Sequence, residues 1–203
     1  MHHHYRTLGR TGIAVSPLCL GTMMLGAWGN PDHADGVRLI HRALDAGINF
    51  VDTADVYSRG ESERIVGKAL AGGRRDGVVL ATKCYQPMGP DPNQRGGSRR
   101  WIVKAVDASL ARLGTDWIDL YYAHRLDQGC DLDETLGALS DLVHAGKIRA
   151  IGVSSFPAHE LVEAHWLALT RNRERIRCEQ PEYSILVRTA EAEVLPVCQR
   201  LGM

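Results

Sequence analysis

The chain has 203 residues, of which 44% are hydrophobic and 24% are charged, and its 24 basic side chains balance its 24 acidic ones. This composition is ordinary for a globular protein, and the length allows one sizeable buried core. The absence of net charge excludes a general electrostatic attraction to nucleic acid or to an anionic membrane. We therefore expect neither as a partner.

The five cysteines are scattered and include no CxxC pair. This usage is typical of a reducing compartment rather than of a disulfide framework or a structural zinc site. No apolar run approaches the roughly 20 residues that a membrane-spanning helix needs, and the N-terminus lacks a secretory leader pattern. We therefore expect a cytoplasmic protein without a metal. The histidine run at residues 2–4 is either native or a tag remnant and is set aside.

The predicted elements begin with short β-prone segments around Gly9-Arg10-Thr11-Gly12, a pattern that indicates a hairpin. The apolar residues 18–21 predict a buried strand, and helically spaced apolar residues then run as far as Gly47. The strand-helix pattern repeats five more times. The predicted strands are 49–52, 78–83, 118–122, 148–153 and 176–180, and the helices that follow them are 62–71, 99–113, 133–145, 158–169 and 188–201.

A strand-helix unit of about 30 residues is what a βαβ crossover requires, and strands that are apolar throughout indicate a parallel sheet covered by helices. Six such units fit either a doubly wound sheet or part of an eight-unit barrel. A doubly wound dinucleotide-binding sheet carries GxGxxG after its first strand, whereas this chain has GTMMLGAWGN there. The sequence therefore favours an α/β (β/α)8 TIM barrel of which about six units are present, forming a single domain over residues 1–203 with the hairpin.

Polar side chains stand at the ends of successive predicted strands. Asp52 ends the second strand, Tyr57 lies in the loop after it, Lys83 ends the third strand, and His124 lies just past the fourth. Each of them alone has an ordinary structural explanation, but the carboxyl ends of barrel strands all open on one face, where these residues would meet.

The four residues together predict proton delivery to a carbonyl oxygen. A tyrosine is a weak acid at pH 7, and a neighbouring ammonium would stabilise its phenolate and ease proton donation. Lys83 would be that ammonium, Asp52 its counter-charge, and His124 could orient the carbonyl or share the proton. The spacing of these residues is not that of a metal site.

A family resemblance supports this interpretation. The segments NFVDTADVYSRGESERIVGKAL, VVLATK, DLYYAHRLD, IRAIGVSSF and CEQPEYS resemble, in this order, the aldo-keto reductase superfamily. The resemblance runs from about Tyr5 to the end of the chain. RGGSRRWI and CEQPEYS point to the branch that includes bacterial oxidoreductases and potassium-channel β subunits. The resemblance implies a (β/α)8 barrel, NADPH as hydride donor, and a tetrad that corresponds to Asp52, Tyr57, Lys83 and His124, with Tyr57 as general acid.

The resemblance also implies which residues contact the cofactor. Ser154, Ser155 and Gln180 would hydrogen-bond the nicotinamide carboxamide, while Thr22 and Met23 would lie against the nicotinamide-ribose end. Ser155 stands where the family often has Asn, and its shorter side chain would weaken the carboxamide contact. Asp52, as the tetrad's carboxylate, belongs to this end of the site as well.

Three loop residues at the same face, Trp28, Tyr85 and Arg125, are candidates for lining a substrate pocket. The resemblance predicts two further strand-helix units after Met203, which would include the segment that reads the 2′-phosphate. We therefore expect the chain to be part of a longer one, and NADH stays open beside NADPH.

Three functional hypotheses remain. The first is an NADPH-dependent reductase that acts on small aldehydes or ketones. The second is a cofactor-sensing or interaction subunit with little turnover. The third is a chain that is catalytically silent because it does not hold NADPH. The sequence predicts neither the substrate nor the oligomeric state.

Overall fold

The computed structural model describes residues 4–203, so the first part of the histidine run at residues 2–4 lies outside the described residues. Strands β1 (Arg6–Thr7) and β2 (Ala14–Val15) form the predicted antiparallel hairpin. Gly9 in its turn has a φ of +51°, and a Cβ there would lie 2.5 Å from the carbonyl oxygen of Arg177. Only glycine fits this position, because it tolerates a positive φ and lets the two backbones approach.

Six parallel strands follow the hairpin. They are β3 (Leu20–Gly21), β4 (Phe50–Asp52), β5 (Val79–Cys84), β6 (Ile118–Ala123), β7 (Ile148–Ser154) and β8 (Ile176–Gln180). Each strand pairs with the next one in the chain, so the order across the sheet is β3-β4-β5-β6-β7-β8. A doubly wound sheet would reverse its strand order at a switch point. The observed order therefore confirms the predicted alternative, a curled sheet that forms part of a (β/α)8 barrel.

Helices alternate with these strands and end where the sequence indicates. They are α1 (His33–Asp45), α2 (Glu61–Leu70), α3 (Arg99–Leu113), α4 (Leu132–His144), α5 (Ala158–Thr170) and α6 (Val194–Leu201). Helix α3 shows the local signals most clearly, since the Ser98 side chain accepts from the Trp101 N–H and Gly114 ends the helix in the left-handed conformation. Among residues 4–203, no helix is both long enough and apolar enough to cross a lipid bilayer.

The alternation of side chains along β5 divides the core into two parts. Leu80 faces the helices and belongs to the large cluster that packs them onto the sheet. Val79 and Ala81 face the barrel interior, where they cluster with Leu8 and Val15 of the hairpin. The hairpin thus fills the amino-terminal end of the interior. Lys83 continues the inward-facing row at the opposite, carboxyl-terminal end.

Two predictions near the ends of the sheet are wrong in detail. The buried strand predicted over residues 18–21 is reduced to Leu20–Gly21 at an edge of the sheet, and Leu18, which precedes it, is 66% exposed. The last helix, predicted over residues 188–201, begins at Val194 after a separate 3₁₀ turn at Thr189–Glu191. Pro196 explains the later start, since proline lacks an N–H and suits the first turn of a helix.

Candidate active site

Lys83 and Asp52 form a buried ion pair at the carboxyl ends of β5 and β4. Lys83 is fully buried, and its Nζ lies 2.5 Å from Asp52 Oδ2 and 2.8 Å from the carbonyl oxygen of Thr53. Burial raises the pKa of the Asp52 carboxyl, and the nearby Lys83 ammonium counteracts that shift. A charge in this position is stabilised only through such partners, because water cannot reach it.

Tyr57 reaches the same lysine from a strained turn. Its hydroxyl lies 3.4 Å from Lys83 Nζ. The turn Tyr57–Gly60 contains the left-handed residues Ser58 and Arg59, with φ values of +49° and +55°. For residues other than glycine this conformation costs about 1–2 kcal/mol, so the surrounding structure must hold the turn in place.

Contacts from α2 and α3 provide that support. Glu63 of α2 is fully buried and accepts hydrogen bonds from Thr82 Oγ1 at 2.6 Å and from Arg112 Nε at 2.5 Å. Arg112 packs so closely against Gly60 that a Cβ there would lie 2.6 Å from its Cδ. Because Thr82 directly precedes Lys83, these contacts tie the turn that carries Tyr57 to the strand that carries Lys83.

Asp55 lies in the same buried cluster. Its backbone N–H donates to the Lys83 carbonyl oxygen at 3.1 Å, and both of its carboxyl oxygens are buried with no hydrogen-bond partner among the described residues. Burial, with a smaller contribution from the Glu63 carboxylate, raises the pKa of Asp55 to about 8, although Arg112 opposes the shift. The Asp55 carboxyl is therefore largely protonated at pH 7. Sequence reasoning did not single out Asp55, because only packing between distant segments creates this environment.

The aromatic ring of Tyr122 packs near the Lys83 ammonium. The Tyr122 ring on β6 lies 5.5 Å from Lys83 Nζ, within the range of a cation–π contact. Gly152 is its neighbour on β7, and a Cβ at Gly152 would lie 2.5 Å from a Tyr122 ring carbon. Tyr122 can occupy this place only because residue 152 has no side chain.

His124 stands one residue past β6, with its ring 5.9 Å from the Tyr57 ring in an edge-on arrangement. Burial, together with the positive charges of Lys83 and Arg125, lowers the pKa of His124 to about 4. The imidazole is therefore neutral at pH 7, with one N–H that can donate a hydrogen bond. Its Nδ1 atom is buried without a partner among the described residues.

These groups open onto a cleft of about 570 Å³, a volume in the usual range for small-molecule sites. The Trp28 ring lies 6.1 Å from the Tyr57 ring, and the backbone N–H of Trp28 donates to Ser58 Oγ at 3.1 Å. The loop that carries Trp28 is thus fastened to the turn that carries Tyr57. The cleft is lined by Met23, Trp28, Val56, Tyr57, Gln86, Pro87, His124, Arg125, Ser154, Ser155, Gln180, Pro181 and Glu182.

The ends of β7 and β8 bring hydroxyl and amide groups to the cleft. Ser154 Oγ donates to the backbone carbonyl oxygen of Gln180 at 2.9 Å, and the backbone N–H of Ser155 donates to the same oxygen at 3.2 Å. Ser155 has a φ of +57°, a conformation that Asn adopts more readily than Ser. Because the Ser154 hydroxyl has already donated its one hydrogen, it can offer a flat carboxamide only an acceptor, whereas the Ser155 hydroxyl and the Gln180 side-chain amide can offer both donors and acceptors.

The other predicted cofactor and substrate residues differ in where they lie. Met23 lines the cleft, but Thr22 is buried, with its hydroxyl 3.0 Å from the Asp52 carbonyl oxygen and 2.8 Å from Ser62 Oγ. The lining includes Trp28 and Arg125 and does not include Tyr85. Cofactor contact by Thr22 and Met23 stays a prediction.

Five residues that sequence reasoning did not select also line the cleft: Val56, Gln86, Pro87, Pro181 and Glu182. The sequence held one usable signal for them. Val56 precedes Tyr57, Pro181 and Glu182 follow Gln180, and Gln86 and Pro87 come just after the strand that ends near Lys83. Neighbours of a strand-end site residue are thus reasonable candidates for the rim.

Comparisons with known proteins agree with this architecture. Residues 17–203 match the aldo/keto reductase family. The chain is 44% identical to the uncharacterized oxidoreductase YrpG of Bacillus subtilis, over 98% of this chain and 64% of that protein. It is 40% identical to the aldo-keto reductase YhdN of B. subtilis and 37% identical to the aldo-keto reductase AMT2 of Alternaria alternata. These two matches cover 95% and 98% of this chain but 57% and 62% of the relatives. The chain thus spans about three fifths of the length of its relatives, and it belongs to the aldo/keto reductase family.

Proposed function

We propose that this protein is an NADPH-dependent oxidoreductase that reduces aldehydes or ketones to alcohols, with Tyr57 as the proton donor. The observation that carries the proposal is the position of Lys83 Nζ, buried between the Asp52 carboxylate and the Tyr57 hydroxyl. Family membership and the relatives' names, oxidoreductase and aldo-keto reductase, support the reaction class.

Reduction of a carbonyl adds a hydride to its carbon and a proton to its oxygen. As negative charge develops on that oxygen, the Tyr57 hydroxyl gives up its proton and becomes a phenolate. The Lys83 ammonium, 3.4 Å away, stabilises the phenolate. Asp52 keeps the lysine charged in a place that water does not reach.

His124 has a different role in this mechanism. Because its pKa is lowered to about 4, it is neutral at pH 7 and is not the source of the proton. Its N–H can donate a hydrogen bond to the substrate oxygen and so hold the carbonyl in front of Tyr57. Trp28, whose ring lies 6.1 Å from the Tyr57 ring and lines the same cleft, restricts where the rest of the substrate lies.

The nicotinamide end of the cofactor would be held by Ser154, Ser155 and Gln180, whose polar groups fit its carboxamide. Met23 lines the same cleft, and we propose that it contacts the adjacent ribose together with Thr22. When bound, the cofactor supplies the hydride. The preference for NADPH over NADH rests on the family resemblance alone, so both nucleotides belong in the test.

The test follows oxidation of NADPH and of NADH by the protein in the presence of small aldehydes, for the wild type and for Tyr57→Phe. We expect the variant to lose about 10²–10⁴-fold in kcat, the usual contribution of a general acid, while its affinity for the nucleotide is unchanged. Tyr5→Phe is the matched control, because Tyr5 is an exposed phenol that donates to the Gly47 carbonyl oxygen away from the cleft.

Each outcome separates the hypotheses. Undiminished turnover in Tyr57→Phe would contradict the role of Tyr57. Tight nucleotide binding without turnover in the wild type would favour a cofactor-sensing subunit. Failure to bind either nucleotide would indicate that the 203 residues are catalytically silent.

A further inference from the structure

We propose that Arg125 selects carbonyl substrates that also carry a carboxylate, by pairing its guanidinium with that group. This inference rests on the proposed function, because it names the substrate class of the same cleft. Arg125 lines the same cleft as His124 and Tyr57, so a carboxylate held by the arginine would lie in the cleft where the carbonyl faces those two residues.

The structure fixes the arginine without neutralising its charge. Arg125 Nη1 lies 3.0 Å from the His124 carbonyl oxygen, 3.3 Å from Ser154 Oγ and 3.2 Å from Ser155 Oγ. All three acceptors are uncharged. Among the described residues, no Asp or Glu forms an ion pair with Arg125.

Part of the Arg125 guanidinium is left free to bind a ligand. A guanidinium has five N–H donors, and the two on Nη1 are shared among the three acceptors just described. The donors on Nε and Nη2 have no acceptor among the described residues. A planar pair of free N–H groups matches the two oxygens of a carboxylate and can bind them side by side.

Lys83 and His124, the other basic groups near Arg125, do not offer a positive charge to an anion. The Lys83 charge is matched by Asp52, and His124 is neutral because its pKa is lowered to about 4. Glu182 also lines the cleft. Glu179 lies close enough for Arg125 to lower its pKa, but burial outweighs this effect and raises that pKa to about 7. Among the described residues, neither carboxyl group forms an ion pair with Arg125. The arginine is thus the positive charge that a ligand can reach, and the exposure of its residue lets a substrate approach it.

A competing explanation is that Arg125 only positions Ser154 and Ser155 for the cofactor. The two explanations predict different specificity. An arginine that only serves the serines affects all substrates equally, whereas an arginine that also binds a carboxylate has a larger effect on substrates that carry one.

The experiment compares two aldehydes with the same four-carbon chain, 4-oxobutanoate and butanal, on the wild type and on Arg125→Met. Methionine keeps the length of the side chain and removes the charge. We expect the ratio of KM for 4-oxobutanoate to KM for butanal to rise by about 10- to 100-fold, the equivalent of a charge-assisted hydrogen bond. Loss of the contacts with Ser154 and Ser155 affects both aldehydes alike and cancels in this ratio. Arg125→Lys keeps the charge but not the paired donors and should lie in between. Arg64→Met, which removes an exposed arginine of α2, is the control.

A second readout does not depend on turnover. Ligand-observed NMR without cofactor should show 4-oxobutanoate binding to the wild type more tightly than butanal, and weaker binding to Arg125→Met. If no aldehyde is reduced but this binding difference holds, the proposed function fails and the carboxylate site stands. Equal losses for both aldehydes, or no loss for 4-oxobutanoate, would overturn the role of Arg125.

Discussion

Lys83 and Arg125 are two cations at the carboxyl ends of neighbouring strands, and their surroundings differ sharply. Lys83 is fully buried on β5, 2.5 Å from the Asp52 carboxylate. Arg125 lies just past β6, is exposed, and among residues 4–203 donates its hydrogen bonds to uncharged oxygens. The difference separates two tasks. Stabilising a phenolate requires a charge that is fixed and shielded from water, whereas recognising a substrate requires a charge that the substrate can reach.

The largest expected effect comes from removing the buried charge. Lys83→Met leaves the Asp52 carboxylate buried without its partner, and we expect a loss of about 3–5 kcal/mol in the free energy of unfolding at pH 7. Arg125→Met should change that free energy by no more than about 0.5 kcal/mol, because the arginine is exposed. Urea unfolding followed by circular dichroism measures both values.

Adding Asp52→Asn to Lys83→Met should recover part of the lost stability, since no buried charge then remains. Losses of similar size in Lys83→Met and Arg125→Met would show that the two cations do not differ in the way described.

The second expected effect is a pH dependence of stability caused by Asp55, a buried carboxyl group that forms no ion pair among the described residues. Asp55 loses its proton near pH 8 in the folded protein but near 3.8, its ordinary pKa, when unfolded. Between these values the folded state binds one more proton than the unfolded state. This group therefore makes stability fall as pH rises, by about 1.4 kcal/mol per pH unit at most, and its contribution levels off above about pH 8.

Asp55→Asn removes the titration while keeping the shape of the side chain. The stability of the variant relative to the wild type should therefore grow between about pH 5 and about pH 8, as measured by urea unfolding across that range. Asp76→Asn, at an exposed position, is the control. A difference between Asp55→Asn and wild type that does not change with pH would contradict a protonated Asp55.

The smallest expected effect concerns the contact between Gly152 and the Tyr122 ring near Lys83. Gly152→Ala places a methyl group 2.5 Å from the Tyr122 ring and forces it to shift, at a cost of about 1–3 kcal/mol in the free energy of unfolding. Gly77→Ala is the control, because a Cβ there meets nothing within 4 Å. Equal thermal denaturation midpoints for the two variants would show that Tyr122 is not held against Gly152.

The sequence predicted the features that depend on local patterns and on topology. Apolar runs and stop signals such as Gly114 located the strands and helices to within a few residues, apart from β3 and the start of α6. Parallel topology alone then places Asp52, Lys83 and His124 at one face, because each stands at the end of a strand.

The features that the sequence did not reveal depend on packing between distant segments. The contacts of Glu63 with Thr82 and Arg112 join residues far apart in the chain, so no local sequence pattern predicts them. The direction in which a loop side chain points is equally hard to predict from the sequence. Arg125 and Tyr85 were equivalent candidates in the sequence, yet only Arg125 lines the cleft.

The most direct test of the central claim is a double-mutant cycle on kcat with Lys83→Met and Tyr57→Phe. If the lysine acts by stabilising the phenolate of Tyr57, it has nothing to act on once the hydroxyl is gone. The double variant should then be no slower than the slower single variant, as expected for residues that work as one unit. Losses that multiply in the double variant would contradict the account, because Lys83 and Tyr57 would then contribute independently.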